Sequence, residues 1–215
     1  MSDEELTLIQ NILPKMHRFL KRNPTSLISR IYGVYSVKME GYEKVNLILM
    51  GNTLRFDNKN DISRIYDLKG SLFSRYVKGR THHTSTLKDQ NFISNQHHIQ
   101  EVNMSSRDIE TINIAIRKDS KFLSLLGIMD YSILLGIESK LQINTEEQEH
   151  TVINAGARTS VRTPNDLLRF KRHRFTSPDG MQTYHVSIID FLQKWNHGKR
   201  CEKFMKINFL RANKK

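Results

Sequence analysis

Asp67 and Lys69 stand at the end of a short apolar run, in Ile65-Tyr66-Asp67-Leu68-Lys69-Gly70-Ser71, with Arg75 close behind. On an extended strand, residues two apart share a face, so this acid and this base would point the same way. Gly70 lets the backbone turn or approach a ligand closely. Ser71 supplies a hydroxyl and Arg75 a planar cation, and both suit phosphate oxygens. A strand end carrying a surface ion pair has the same appearance, so this segment alone does not separate chemistry from structure.

Two further acids lie in apolar surroundings. Asp130 sits in Gly127-Ile128-Met129-Asp130-Tyr131-Ser132-Ile133-Leu134-Leu135-Gly136-Ile137, and Asp190 in Val186-Ser187-Ile188-Ile189-Asp190-Phe191. Burying an acid is costly unless it is paired, protonated or bound to a cation. Each taken alone could cap a helix or pair with a nearby base. Two on adjacent strands could instead converge, one accepting a proton from a hydroxyl and the other holding Mg²⁺. Phosphoryl transfer needs that division of labour, because its catalysis is mostly positioning and charge neutralisation.

The elements that must carry these residues follow from periodicity. Residues 4–22 read as an amphipathic helix, with Leu6, Ile9, Ile12, Leu13, Met16 and Leu20 at helical spacing. Ser2 or Asp3 caps it, Glu4 and Glu5 suit its first turn, and Asn23-Pro24 ends it. Pro14 predicts a kink or a second short helix. Strands follow at Ile31–Val37, Val45–Met50 and Ile62–Leu68, as an antiparallel three-strand block with turns at Gly41 and Asn58–Asp61. Residues 79–91 read as a polar loop. Residues 104–126 read as a helix burying Ile109, Ile112, Ile116, Phe122, Leu123 and Leu126, ended by Gly127. Residues 131–137 and 183–189 are strand-like. The polar stretch at about 144–180, with the basic run Arg169, Lys171, Arg172, His173 and Arg174, reads as a mobile insert, with contact to an anionic membrane as the functional alternative for the run. Residues 191–206 read as a helix that packs through Trp195. No internal repeats are present.

Across 215 residues, 34 Lys and Arg against 22 Asp and Glu give a net charge of +12. That balance favours a polyanionic partner: nucleic acid, an anionic membrane surface or a phosphorylated substrate. No aromatic-basic RNA-recognition motif or zinc-finger spacing supports nucleic acid. His82-His83 and His97-His98 lack the neighbours of a zinc site. The single Cys201 cannot form an internal disulfide and has no nucleophile context. No apolar stretch is long enough to span a bilayer, and the acidic start at Asp3, Glu4 and Glu5 is unlike a signal peptide. Membrane contact would be peripheral.

Tyr66-Asp67-Leu68-Lys69-Gly70-Ser71, Met129-Asp130-Tyr131-Ser132-Ile133-Leu134 and Ile188-Ile189-Asp190, in this order and spacing, resemble the phosphatidylinositol phosphate kinase family. Ile12-Leu13-Pro14, Asn23-Pro24-Thr25-Ser26-Leu27, Tyr32-Gly33-Val34-Tyr35 and Leu47-Ile48-Leu49-Met50-Gly51-Asn52 extend the resemblance over nearly the whole chain apart from the polar insert. It implies an α+β, two-lobed fold with antiparallel sheets and packed helices. Residues 1–50 would form part of the small lobe and 51–215 the large one. It implies ATP, Mg²⁺ and a phosphatidylinositol monophosphate substrate, with the γ-phosphoryl group passed to an inositol hydroxyl.

Residue by residue, Asp130 looks like the catalytic aspartate facing that hydroxyl. Asp190 looks like the metal-binding aspartate, and Lys69 like the lysine near the nucleotide phosphates. Asp67 and Arg75 look like the pair shaping the substrate side. Met50, Gly51 and Asn52 look like the hinge against which adenine packs; Gly51 stands where the family often has Asn, and Ile133 where it often has Leu. The family's glycine-rich loop and strand lysine have no counterpart before Glu4, and its basic specificity loop none before Lys215. The expectation is a core without either end, weak or inactive alone, at the cytoplasmic face of membranes, the plasma membrane foremost. The competing expectation is a catalytically impaired module that binds phosphoinositide or a partner.

Overall fold

A computed structural model describes residues 1–56, 61–79, 81–99, 102–139 and 173–194, with backbone alone for 96–99 and 194. Asn58 to Asn60 of the expected turn, most of the polar insert, Arg169 to Arg172, Trp195, Cys201 and the rest of the helix expected over 191–206 lie outside the described residues.

The fold is α+β. In chain order the elements are α1 (Asp3–Arg22), β1 (Ile31–Val37), β2 (Val45–Met50), β3 (Ile62–Leu68), β4 (Thr86–Lys88), α2 (Asp89–Ile99), α3 (Ser106–Leu125), β5 (Ile128–Met129), β6 (Ser132–Ser139), β7 (Arg174–Thr176), β8 (Gln182–Ile189) and β9 (Gln193–Lys194). They form two compact units. One comprises Met1–Asn52, Ile112–Ile133 and Ile188–Lys215; the other comprises Thr53–Thr111 and Leu134–Ser187.

In the first unit, α1 starts with a complete capping box. The Ser2 hydroxyl accepts the Glu5 N–H at 3.1 Å and the Glu5 carboxylate accepts the Ser2 N–H at 2.7 Å. Two otherwise orphaned donors are satisfied. Ser2→Ala is expected to lower stability by about 1 kcal/mol, read as a shift in the urea midpoint; an unchanged midpoint would mean that the helix end does not form. Leu8, Ile9, Ile12 and Met16 make the buried face. Pro14 lies inside one continuous helix, so no second short helix forms. Its neighbours Ile12 and Met16 are core residues, and tertiary burial offsets the lost backbone bond.

β1 and β2 pair as an antiparallel hairpin, with Tyr35 opposite Leu47 and Val37 opposite Val45. Asn46 ties the hairpin to α1: it accepts the Ser36 hydroxyl at 2.7 Å and donates to the Asp3 carboxylate at 2.7 Å. That amide, together with Lys44 at 3.3 Å, holds the Asp3 carboxyl below its usual range. β3 does not join this hairpin, contrary to the three-strand expectation. It lies inside a five-stranded sheet of order β4-β3-β6-β8-β7. β3 buries Ile62, Ile65 and Tyr66, so side chains on both its faces are covered, as suits an interior strand. A hairpin is set by its own short turn, whereas β3 finds partners far along the chain.

The predicted loop 79–91 is a second departure, since it contains β4 and the start of α2. β4 pairs parallel to β3, Tyr66 opposite Leu87. Three residues are too few for periodicity to register. α2 packs on β3 through the edge-to-face contact of Tyr66 with Phe92 and a 2.8 Å bond from Asn95 to the Tyr66 hydroxyl. On α3 the buried residues are Ala115, Asp119 and Leu123, while Ile109 is exposed. Asp119 is fully buried and accepts the Leu27 N–H at 2.7 Å, anchoring the turn after α1. Burial pushes its carboxyl above the usual range, against the bonds from Ser26 and Leu27. Residues 191–194 form a turn and β9 rather than the start of a helix.

In the second unit, a polar ladder crosses the sheet interior. His185 of β8 meets the Glu138 carboxylate of β6 at 3.0 Å, and Arg174 of β7, register partner of His185, reaches Glu138 at 3.7 Å. Arg174 is therefore a paired sheet residue and not part of a mobile basic loop. Gly136 of β6 has no room for a side chain: an added Cβ would lie 2.6 Å from Leu54 and 2.9 Å from Phe56.

Candidate functional site

The sequence-predicted residues divide between the two units. Asp67, Lys69 and Arg75 belong to the second, and Met50, Gly51, Asn52, Asp130 and Asp190 to the first.

Asp130 and Asp190 occupy equivalent breaks in two paired strands. β5 and β6 are separated only by Asp130 and Tyr131, and β8 ends at the residue before Asp190. β6 neighbours β8, and β5 pairs with β9, Met129 opposite Gln193. Each strand pair is thus interrupted at its aspartate. Both acids have left-handed backbones, φ 65° at Asp130 and φ 61° at Asp190. Asp is among the few residues that adopt this conformation at modest cost, and such kinks concentrate at functional sites. Ser132, two residues after Asp130, donates its hydroxyl toward the Asp190 carboxylate at 3.5 Å. Asp130 is half-buried and Asp190 exposed, so neither carries the full cost of burying an ion.

β3 ends at Leu68, so Lys69 begins the turn rather than continuing the alternation with Asp67. Gly70 follows with φ 68°, a backbone that favours glycine. Arg75 folds back under this turn. Its guanidinium lies 3.2 Å from one Asp67 carboxylate oxygen, donates to the Asp67 carbonyl, and donates to Asp89 at 2.7 Å. Its side chain is only 12% exposed. Burial opposes its charge, but the hydrogen bond to Asp89 and the charge of Asp67 outweigh it and raise its pKa above the ordinary arginine value.

Sequence reasoning missed Asp89, Gln90 and Asn91. One oxygen of Asp89 accepts the N–H groups of Lys69 at 3.0 Å and Gly70 at 2.8 Å; the other receives Arg75. Gln90 donates its side-chain amide to the Leu72 carbonyl and its N–H to the Arg75 carbonyl. Asn91 accepts the Val77 N–H at 2.9 Å and donates to its carbonyl at 3.1 Å. The first turn of α2 thus grips the whole loop after β3. The available signal was Asp89 after the apolar-centred triplet Thr86-Leu87-Lys88, a helix-start residue at a helix start.

At the expected hinge, Met50 ends β2 opposite Ile31, and the Gly51 N–H donates to the Arg30 carbonyl at 2.8 Å. Any contact Gly51 makes with an adenine would therefore come from its carbonyl or Cα.

The family model for phosphatidylinositol-4-phosphate 5-kinase matches residues 1–215. The chain belongs to this family. It is 31% identical over 208 residues to a phosphatidylinositol 4-phosphate 5-kinase of Plasmodium falciparum, covering 91% of this chain and 12% of that protein. It is 31% identical over 189 residues to one of Schizosaccharomyces pombe, covering 86% and 24%. It is 34% identical over 152 residues to a phosphatidylinositol 5-phosphate 4-kinase type-2 gamma of Danio rerio, covering 69% and 35%. The chain thus spans about an eighth to a third of these relatives, whose names cover both 5-kinases and 4-kinases. For a kinase of this family, Mg²⁺ takes one or two carboxylates plus substrate phosphates. A hard carboxylate exposed at a strand break, as at Asp190, fits that donor set. No helix among the described residues is long and apolar enough to cross a membrane.

Proposed function

We propose that this chain forms the phosphoryl-transfer core of an ATP-dependent lipid kinase acting on a phosphatidylinositol monophosphate. The observation that carries this reading is the pair of left-handed aspartates, Asp130 and Asp190, at matched strand breaks in a member of this family. In this reading Asp130 accepts the proton of the attacking inositol hydroxyl. Asp190 would hold Mg²⁺, which when bound neutralises charge on the phosphate oxygens. Lys69, whose turn is held by Asp89 and Arg75, would by the family resemblance serve the nucleotide phosphates. Asp67 and Arg75 shape the substrate side by holding that turn and not by free charge. Met50, Gly51 and Asn52 border the adenine. An excess of positive charge favours the anionic membrane face where the substrate resides. We place the protein at the cytoplasmic surface of membranes.

The test is transfer of radiolabelled γ-phosphate from ATP to vesicles containing each phosphatidylinositol monophosphate isomer. Mg²⁺-dependent product on the lipid supports the reading. Nucleotide-independent binding to the same vesicles without any product would favour a module that only binds phosphoinositide.

A further inference from the structure

In the first unit, α1 and α3 enclose a groove of about 530 Å³ with two unlike walls. Lys15, Arg18, Phe19 and Arg22 follow at i, i+3, i+4 and i+7 on α1, facing Phe122 and Leu125 of α3 and Leu126 in the turn that follows it. The rows meet at the stacked rings of Phe19 and Phe122, 3.9 Å apart and nearly parallel. The three cations thus form a line about 10 Å long beside an apolar strip. Leu125 is 77% exposed, an unusual position for a large aliphatic side chain next to two stacked rings. Lys15, Arg18 and Arg22 are solvent-exposed and have no ion pair or hydrogen bond among the described residues. No acidic residue occurs in the sequence between Glu5 and Glu40.

Helix termini account for only part of this charge. α1 and α3 both end at the groove, and each C-terminus carries roughly half a negative charge that falls off within the last turn. Arg22 lies in that turn of α1, whereas Lys15 and Arg18 precede it. The groove therefore keeps a positive wall.

We propose that this groove binds an acidic amphipathic helix of a partner protein. Its carboxylates would lie along the Lys15–Arg18–Arg22 row and its apolar residues against Phe19, Phe122, Leu125 and Leu126. The charge and the shape of the groove point to this occupant: cations spaced along a helix beside an apolar strip match acids and apolar residues spaced along a second helix, and contact of the same row with an anionic bilayer is the outcome that the vesicle arm of the test separates. The occupant would sit beside the Gly127 turn, immediately before β5 and Asp130, so its binding can bear on the strand break that carries the acid.

The probe is a fluorescein-labelled synthetic helix of about 18 residues, with Glu along one flank and Leu and Phe along the other. Anisotropy at low salt is expected to give a micromolar Kd. Arg18→Glu with Arg22→Glu should weaken it by about tenfold or more, and Leu125→Asp should weaken it similarly, with helix content by circular dichroism unchanged. A Lys-for-Glu version of the peptide should bind the charge-reversed variant better than the unaltered protein. Equal affinity for all the variants overturns the proposal. So does a double variant that loses sedimentation with phosphatidylserine vesicles while keeping the peptide, which would make the row a membrane contact. A benzophenone at the centre of the peptide provides a measurement without mutation: crosslinks to α1 or α3 residues of the groove support the proposal, and crosslinks elsewhere refute it. ATP-analogue binding, followed in parallel, reports separately on the proposed kinase reading.

Discussion

Asp130→Asn and Asp190→Asn are each expected to lower phosphoryl transfer by roughly 10³-fold or more while leaving stability within about 0.5 kcal/mol of the unaltered protein. The choice of Asn follows from the backbone. Both positions have φ near 60°, and Asn tolerates the left-handed region almost as well as Asp does. The substitution therefore removes charge and leaves the strand break intact. Asp130→Val and Asp190→Val should lose the same activity and in addition about 1–2 kcal/mol of stability, because a β-branched side chain is strained there. The two acids should separate in a second assay. Asp190→Asn should abolish Mg²⁺-dependent binding of a fluorescent ATP analogue, whereas Asp130→Asn should retain it, since a general base acts on the hydroxyl and not on the nucleotide. Retained metal-dependent binding in Asp190→Asn would remove Asp190 from the metal role.

Much of this architecture was legible in the sequence where a pattern was long enough to repeat. α1, the β1–β2 hairpin and β3 follow from runs of six residues or more with clear periodicity. The acids were legible for a different reason: a carboxylate in an apolar strand is expensive, so its presence calls for a partner or a task. Their left-handed backbones were not legible, since nothing in Met129-Asp130-Tyr131 or Ile189-Asp190-Phe191 marks a reversal of φ. Sheet membership was also hidden. β3 has its strand neighbours in β4 and β6, and such non-local pairing is decided by burial and register that a single chain does not display.

The larger omission was the support of the Lys69 turn. Asp67, Lys69, Gly70 and Arg75 form a compact motif in sequence, and Arg75 looks suited to phosphate. In the structure Arg75 is enclosed between Asp67 and Asp89. A buried guanidinium between two carboxylates serves as a strut, and the role proposed at this turn is therefore the neighbouring lysine's rather than the arginine's. The information that assigns this role lies in Asp89, separated from Arg75 by a polar stretch that carries no periodic signal. Pattern reasoning weighs residues near a motif and gives little weight to one that reaches the motif only after the chain has crossed to a parallel strand.

Asp89→Ala is accordingly expected to have the largest effect on stability of any single change at this turn, about 3–5 kcal/mol. It removes the acceptor for two backbone N–H groups and leaves a nearly buried guanidinium with one carboxylate instead of two. Asp89→Asn keeps an oxygen for the Lys69 and Gly70 N–H groups and loses the charge and the acceptor opposite Arg75, so its cost should be smaller, about 1.5–3 kcal/mol. A double-mutant cycle with Arg75→Met should give a coupling above about 1 kcal/mol; additive losses would reduce Asp89 to a simple helix cap. The pH dependence gives an independent sign. Burial alone would push the Asp89 carboxyl upward. The hydrogen bond from Arg75, with those from its own N–H and that of Gly70, overcomes burial and holds the carboxyl below the usual range. A carboxyl depressed on folding binds its proton more weakly in the folded chain than in the unfolded one. Its stabilisation is therefore complete above the unfolded value, about 4, and is lost as the pH falls through the lower folded value. Urea midpoints measured from pH 7 down to about 3 should fall less steeply in Asp89→Asn than in the unaltered protein. Parallel acid limbs would mean that Asp89 carries no depressed titration. Hydrogen exchange at the Lys69 and Gly70 amides should accelerate in Asp89→Ala far more than in Asp89→Asn, because only the alanine leaves both donors without their acceptor.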